Sequence, residues 1–415
     1  MKKLVFIMIT GVLAASAAHA DSLNCRLVGH CSTPGNAEGV ELVYTRGIIL
    51  VADGDSGLRV VSYDSAVEIG HCNTPGEAHA VAVYPTRTNL AFVADDTCGL
   101  LVISIADPAH PAILGRCHTP GTALAVAIGP YGYAYVADMD GGLRVISAAD
   151  STNPVEVGFC GTPDWTCGVA VKAGFAYMAD EDSGLRVISI QNPANPVEVG
   201  HCRTANLAYG VCTDDYVYVA DDLGGLRVIS AADSSDPLEL GSCSTPGNAY
   251  AVSANGHHAF VADYGSGLRV ISTSDSSHPV EVGYYDTPGY ACGIYAAGTR
   301  AYIADYNYGL EIIDYNAAGV EESRKPQASS CKRAATIVRG VLRLGVDSKQ
   351  YSAYRAVPSD GGRCGQLLDV NGRRVAALHA GVNDVSGLAP GVYFVRQASG
   401  GERTASPVRK VVIQH

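Results

Sequence analysis

The sequence predicts an all-β protein: a seven-bladed β-propeller of four-stranded blades, closed by its N-terminal strand, followed by a small Ig-like β-sandwich. Three observations carry this. The motif Ala-Asp-x-x-x-Gly-Leu occurs seven times, with its Asp at Asp53, Asp95, Asp138, Asp180, Asp221, Asp263 and Asp305, at spacings of 42, 43, 42, 41, 42 and 42 residues. A period of this length and regularity marks a repeat architecture. Each period holds four short strand-like runs parted by turn residues, the content of one propeller blade. The strand ahead of each turn also occurs seven times, but out of phase. Its first copy, Cys25 to Gly29, precedes the first hairpin, and nothing equivalent follows Asp314. The N-terminal strand thus lacks neighbours, and the last blade lacks its outermost strand. Pairing one with the other removes two exposed strand edges and closes a ring. An open solenoid would need atypical capping repeats, and none is visible.

In chain order, Lys2-Lys3, the apolar run Leu4 to Ala18 and the small-residue site Ala18-His19-Ala20 read as a secretory signal peptide over residues 1–20. No other stretch is long and apolar enough to span a bilayer. Residues 21–314 hold the repeats. In the copy that starts at Pro154, the run to Cys160 alternates as a strand, and Gly161-Thr162-Pro163-Asp164 turns the chain. Cys167 to Val171, Phe175 to Ala179 and Leu185 to Ser189 are the other three strands. Asp180 and Gly184 make the tight connection between the last two, the Asp bonding the turn backbone and the Gly taking positive φ. Residues 315–330 are rich in Gly, Ser, Pro and charge, and form a linker. Residues 331–415 carry strand candidates at Ala335–Val338, Gln366–Val370, Gly391–Val395 and Arg409–Ile413, parted by Asn-Gly and Pro-Gly turns, which suits a sandwich.

Two resemblances emerge from these residues. Ala-Asp-x-x-x-Gly-Leu-Arg-Val-Ile-Ser, with the Pro-Val-Glu-Val-Gly strand and the Thr-Pro-Gly turn, resembles the LVIVD repeat of bacterial and archaeal surface proteins over roughly residues 25–314. It implies a β-propeller. The aromatic residue usual before the turn survives as Tyr285; Cys31, Cys72, Cys117, Cys160, Cys202 and Cys243 replace it elsewhere. The tail, with Leu368 to Val375, Gly387 to Arg396 and Lys410 to Ile413, resembles the C-terminal sorting domain of the type IX secretion system. Cys331-Lys332-Arg333 stands where that domain usually opens with Asn-Pro. This resemblance implies that the type IX machinery acts on residues 331–415 and carries the protein through the periplasm to the cell surface or the medium.

Charge narrows the partners. Residues 331–415 carry a net of +8, whereas residues 21–330 hold 14 basic and 36 acidic side chains, a net of −22. An acidic body of this strength repels nucleic acid and anionic lipid. Arg59, Arg144, Arg186, Arg227 and Arg269 recur beside the hairpins, with Leu101 and Glu311 breaking the series. Recurrence in nearly every blade favours one structural ion pair per blade with the hairpin Asp over a ring of ligand-binding arginines. The pairs Asp53/Asp55, Asp138/Asp140 and Asp180/Asp182 lack the oxygen count of a calcium loop, so no metal is expected. Most of the six pre-turn cysteines are expected reduced and buried. Cys331 and Cys364 are the best candidates for a disulfide, since both lie in one small exported domain.

No catalytic motif can be read, and no cofactor is implied. Three function classes stay open: a surface binding module for a glycan or protein, a propeller enzyme such as a polysaccharide lyase or hydrolase, and a structural envelope component. Variable positions at the channel mouth are where individual function resides. The fifth residue after each turn Thr reads Glu38, His79, Leu124, Cys167, Tyr209, Tyr250 and Cys292; two positions earlier stand Trp165 and Tyr290 among others. Aromatic faces beside carboxylates suit a sugar or peptide. The candidate ligand site is therefore Glu38, His79, Trp165, Tyr209, Tyr250 and Tyr290, with His79 and Glu38 the one acid–base pair an enzyme could use.

Overall fold

The structure, a computed structural model, describes residues 22–84 and 87–316, and the backbone of seven strands within 336–413. Seven four-stranded antiparallel sheets follow one another through the first of two compact units, which ends at Ser323. Blades are numbered here from the sheet that begins at Gly39. In blade 4 the order from innermost to outermost is Gly168–Lys172, Phe175–Ala179, Leu185–Ser189 and Val197–Cys202. Each innermost strand touches the next, and that of blade 7, Gly293–Ala297, touches that of blade 1, Gly39–Val43, so the ring is closed.

The predicted closure forms, and it reaches further than Cys25 to Gly29. Cys25–Cys31 pairs antiparallel with Leu310–Tyr315 as the outermost strand of blade 7. Ser22–Leu23 then adds a fifth strand to blade 6, beside Val280–Tyr285. In the second strand of each blade the four residues before the hairpin Asp are apolar and buried, because neighbouring blades cover both faces; Ile48–Ala52 is buried throughout. The cores therefore lie between blades. Tyr135, Ala137, Leu143 and Val145 of blade 3 pack on Ala176, Met178 and Ile188 of blade 4.

Close approach fixes the small residues. A Cβ on Gly168 would stand 2.8 Å from the carbonyl oxygen of Tyr209 in the next innermost strand. Hairpin Gly184 has φ +73° and lies against the turn after blade 4, where a Cβ would meet Cys202 O and Thr204 N at 2.6 Å.

The hairpin Asp does not work as expected. Its side chain reaches back to the Thr-Pro-Gly turn that enters its own blade. Asp138 accepts hydrogen bonds from Thr119 Oγ1 at 2.5 Å and Gly121 N at 2.9 Å, while its backbone carbonyl accepts the hairpin bond from Gly141 N. The expected ion pairs are present. Arg227 Nε donates to Asp221 at 2.7 Å, and the Nε of Arg59, Arg144, Arg186 and Arg269 stands 3.3–3.7 Å from its Asp.

The pre-turn cysteines differ from expectation in one respect. All six are free thiols, but only Cys31 is buried; the other five are half-buried. The outermost strand has a blade on one side and only connecting loops beyond. Burial still pushes all six thiols above their ordinary pKa. The side chains of Cys331 and Cys364 lie outside the described residues. In the second unit Thr336–Val338, Val341–Leu344 and Gly381–Asp384 form a three-stranded sheet. Arg374–His379, Arg363–Leu368, Gly391–Gln397 and Val408–Ile413 form a four-stranded one.

Blade 7 replaces the usual Arg with Glu311, whose side chain is 3% exposed. Burial, with the nearby Asp305 charge, pushes its carboxyl up to about 8. Its contact with His30 Nδ1 of the closing strand, at 3.1 Å, is therefore a hydrogen bond at neutral pH rather than a full ion pair. A carboxyl whose folded pKa exceeds its unfolded value makes the native state bind more protons between the two. Its contribution to stability is fully present below its ordinary value of 4.5 and is lost as pH rises to about 8. The thermal midpoint is expected to fall across this window, and Glu311→Gln should flatten the decline. An unchanged slope in the variant would remove Glu311 as its source.

Candidate functional site

The turns and hairpins share one face of the ring. There, at the mouth of the central channel, lies a cavity of about 510 Å³. The fifth residue after every turn Thr lines it, from Glu38 through Cys292. Of the six predicted site residues, Glu38, His79, Trp165, Tyr209 and Tyr250 surround this cavity. Tyr290 does not line it. Its ring stacks on Tyr264 outside, with centroids 4.5 Å apart.

His79 Nδ1 lies 2.5 Å from Glu38 Oε2. Burial opposes a charge on the imidazole. The hydrogen bond to Glu38 and the charges of Glu38, Asp96 and Glu77 outweigh it, and hold His79 above its ordinary value. On the other side, Tyr209 and Tyr250 stack at 5.0 Å, and Trp165 is half exposed beside them. Burial lifts the Tyr250 hydroxyl well above the usual range, and the neighbouring Cys292, Cys167 and Glu38 add to it. Cys167 Sγ lies 3.6 Å from Glu181 Oε1; burial first, then Glu181, pushes this thiol far up, so it is protonated and inert at neutral pH. No group of three or more His, Cys, Asp or Glu placed to hold a metal occurs among the described residues.

Sequence reasoning missed a second ring. Met139 and Glu181 also line the cavity, and both directly follow an Ala-Asp pair. The seven residues at this position are Gly54, Asp96, Met139, Glu181, Asp222, Tyr264 and Tyr306, and all have positive φ. Each bridges to the residue leading into the next blade, as Glu181 does with Ala208 through bonds of 3.2 and 3.1 Å. A left-handed conformation costs a non-glycine residue about 1–2 kcal/mol. One or two backbone hydrogen bonds per bridge hold it in place, so side chains other than glycine can be presented at the rim. The available signal was a variable residue fixed immediately after an invariant pair.

This fold, with its inter-blade bridges and variable mouth, defines a β-propeller repeat protein. The LVIVD repeat matches residues 75–119, 120–162, 165–204, 211–245, 246–287 and 288–315, more than half of the chain, and the protein belongs to that family. Blade 1 supplies a seventh repeat beyond these six. No curated protein matches the chain. Among solved structures it is similar to the WD40 repeats of RRP9, with a TM-score of 0.59 at 12% identity, covering 72% of this chain and 100% of that one. It is also similar to U3-55K, with a TM-score of 0.58 at 12% identity over 72% of this chain and 99% of that one. The computationally designed Ika8 protein follows, with 0.53 at 8% identity over 70% and 99%. At these identities the likeness is one of fold.

Proposed function

We propose that this protein is an exported binding module whose ligand, a glycan or a protein, sits at the channel mouth on the turn face. The observation that carries this is the gathering of variable side chains, among them Trp165, Tyr209 and Tyr250, around one cavity while the surrounding Gly, Ala and Val positions repeat. Its volume falls within the ~300–1,000 Å³ typical of ligand sites. Trp165→Ala with Tyr250→Ala is expected to abolish binding in a screen of envelope glycans and partner proteins while leaving the fold intact. A stable double variant that keeps every interaction of the parent would refute the site. The His79–Glu38 contact favours one second reading, a polysaccharide lyase or hydrolase using this pair as acid and base. Under that reading His79→Ala removes turnover of a polysaccharide rather than only its binding.

Export rests on the signal-peptide pattern of residues 1–20, and delivery on the sorting-domain resemblance of residues 331–415, whose strands we read as an Ig-like sandwich handed to the type IX secretion machinery. Truncation near Gln327 is expected to leave a folded propeller that no longer reaches the surface. Normal surface display of the truncated chain would refute the sorting role.

A further inference from the structure

Acidic side chains outnumber basic ones at the mouth. Glu38, Asp96 and Glu77 act on His79, and Glu181 and Asp222 act on Tyr209. His79 is the one basic side chain lining the cavity, and it is committed to Glu38. Asp222 is bonded at 2.5 Å by the amide of Asn248, a neutral partner that compensates no charge. Glu181 thus lines the cavity with no basic partner in the lining, and Asp222 holds the same rim position one blade on, so these two carboxyl groups face whatever enters.

A second, separate feature adjoins it. From the cavity an arc of tyrosines runs outward across blades 5 to 7. Tyr209 stacks on Tyr250 at 5.0 Å, Tyr250 meets Tyr264 at 6.1 Å, Tyr264 stacks on Tyr290 at 4.5 Å, and Tyr290 meets Tyr306 at 6.3 Å. Tyr250, Tyr264 and Tyr290 are 42%, 37% and 44% exposed. The arc is confined to this side, because the rim position held by Tyr264 and Tyr306 is Gly54, Asp96, Met139 and Glu181 in blades 1 to 4. Turn geometry alone would not need tyrosine there, since the other blades make the same bridge without it. Tyrosine supplies a large, rigid, amphipathic contact area at low entropic cost, which suits it to protein surfaces that bind other chains.

We propose that the turn face binds a basic polypeptide segment: a lysine or arginine side chain enters the mouth among Glu181, Asp222 and the rings of Trp165 and Tyr209, and the flanking chain lies along the tyrosine arc. This rests on the mouth being the ligand site. Charge complementarity selects the ligand class. An ammonium or guanidinium group gains both from the carboxylates and from the negative faces of the rings. A neutral sugar could stack on the rings but would leave the carboxylates unbalanced, and an anionic glycan would be repelled. A free polyamine would satisfy the mouth but has no side chains to place on the arc.

Trp165 is the only tryptophan of the chain, so intrinsic fluorescence reports on the mouth directly. The full chain is titrated with a short peptide carrying a central Lys-Arg pair, the same peptide with Glu in their place, spermidine and cellohexaose. The Lys-Arg peptide is expected to shift Trp165 emission, and its affinity to fall at least about tenfold between about 50 and about 500 mM salt. Glu181→Gln with Asp222→Asn should weaken it by about tenfold as well. Tyr264→Ala with Tyr290→Ala, both outside the cavity, should weaken the peptide and leave spermidine unchanged. If cellohexaose shifts Trp165 and the peptide does not, the ligand class is wrong and the mouth remains a ligand site. If no probe shifts it, both readings fall. If spermidine binds as tightly as the peptide, or the tyrosine variant binds the peptide as the parent does, the polypeptide proposal is overturned.

Discussion

Deleting residues 22–31 should lower the thermal midpoint of the propeller by about 10 °C or more and expose apolar surface in blades 6, 7 and 1. Cys25–Cys31 contributes six register pairs to blade 7, from Cys25↔Tyr315 to Cys31↔Leu310. At about 1 kcal/mol net for each ladder hydrogen bond, their loss alone removes several kcal/mol, a large part of the ~5–15 kcal/mol that holds a typical domain. Burial adds to this. Cys31 belongs to the core in which Leu310 and Ile312 of blade 7 pack on Val40, Leu42 and Val51 of blade 1. The strand also covers Glu311 and supplies His30, its hydrogen-bonding partner. Without it, blade 7 would end in an unpaired edge at Leu310–Tyr315, which favours association with other chains. Unfolding followed by circular dichroism, with light scattering alongside, checks both outcomes. An unchanged midpoint and a monomeric variant would mean that the ring is held by its inter-blade bridges alone.

The closure was legible because it follows from counting. Seven hairpins and seven pre-turn strands, offset by one, leave a single unpaired strand at each end of the repeat region, and antiparallel pairing joins them. The position of the mouth was legible for a related reason. Glu38, His79, Leu124, Cys167, Tyr209, Tyr250 and Cys292 vary where their neighbours repeat, and they form one rim. What stayed hidden depends on tertiary register. Asp138 and Thr119 are 19 residues apart, and only the stacking of a turn over its blade brings them together. The left-handed Met139 and Glu181 contradict local preference, since neither residue favours positive φ; the bridge to the next blade imposes it. Trp165 and Tyr290 occupy the same repeat position, yet one lines the cavity and the other joins the tyrosine arc. That difference comes from neighbouring side chains such as Tyr264, which no repeat alignment of one sequence reveals. The half-burial of Cys72 and its counterparts has the same origin: an alternating strand pattern identifies the inward face but not how much covers it.

Asp138→Ala should destabilise the propeller by about 3–5 kcal/mol, and considerably more than Arg144→Leu, although the two side chains form one ion pair. Asp138 is fully buried. Its carboxylate accepts from Thr119 Oγ1 and Gly121 N and lies 3.4 Å from Arg144 Nε. Removing it leaves a hydroxyl and a backbone N–H without their acceptor, and Arg144 without its nearest counter-charge; unmet buried donors cost about 1–3 kcal/mol each. Arg144 has other support, from Glu156 at 3.6 Å and from the Phe159 ring at 5.1 Å. The opposite deletion has a natural precedent in this chain. Blade 2 carries Leu101 where Arg144 would be, yet Asp95 still accepts from Gly76 N at 2.9 Å and the blade is fully formed. Burial holds Asp138 above the usual carboxylate range despite Thr119, Gly121 and Arg144, so the arginine does not recover the whole desolvation cost. The carboxylate is thus chiefly the pin of the Thr-Pro-Gly turn, and the arginine is its partial counter-charge. Asp138→Asn, which keeps an acceptor oxygen, is expected to cost less than Asp138→Ala. Chemical denaturation of the three variants measures the ranking. If Arg144→Leu proves as costly as Asp138→Ala, the ion pair rather than the turn contact is what the repeat preserves.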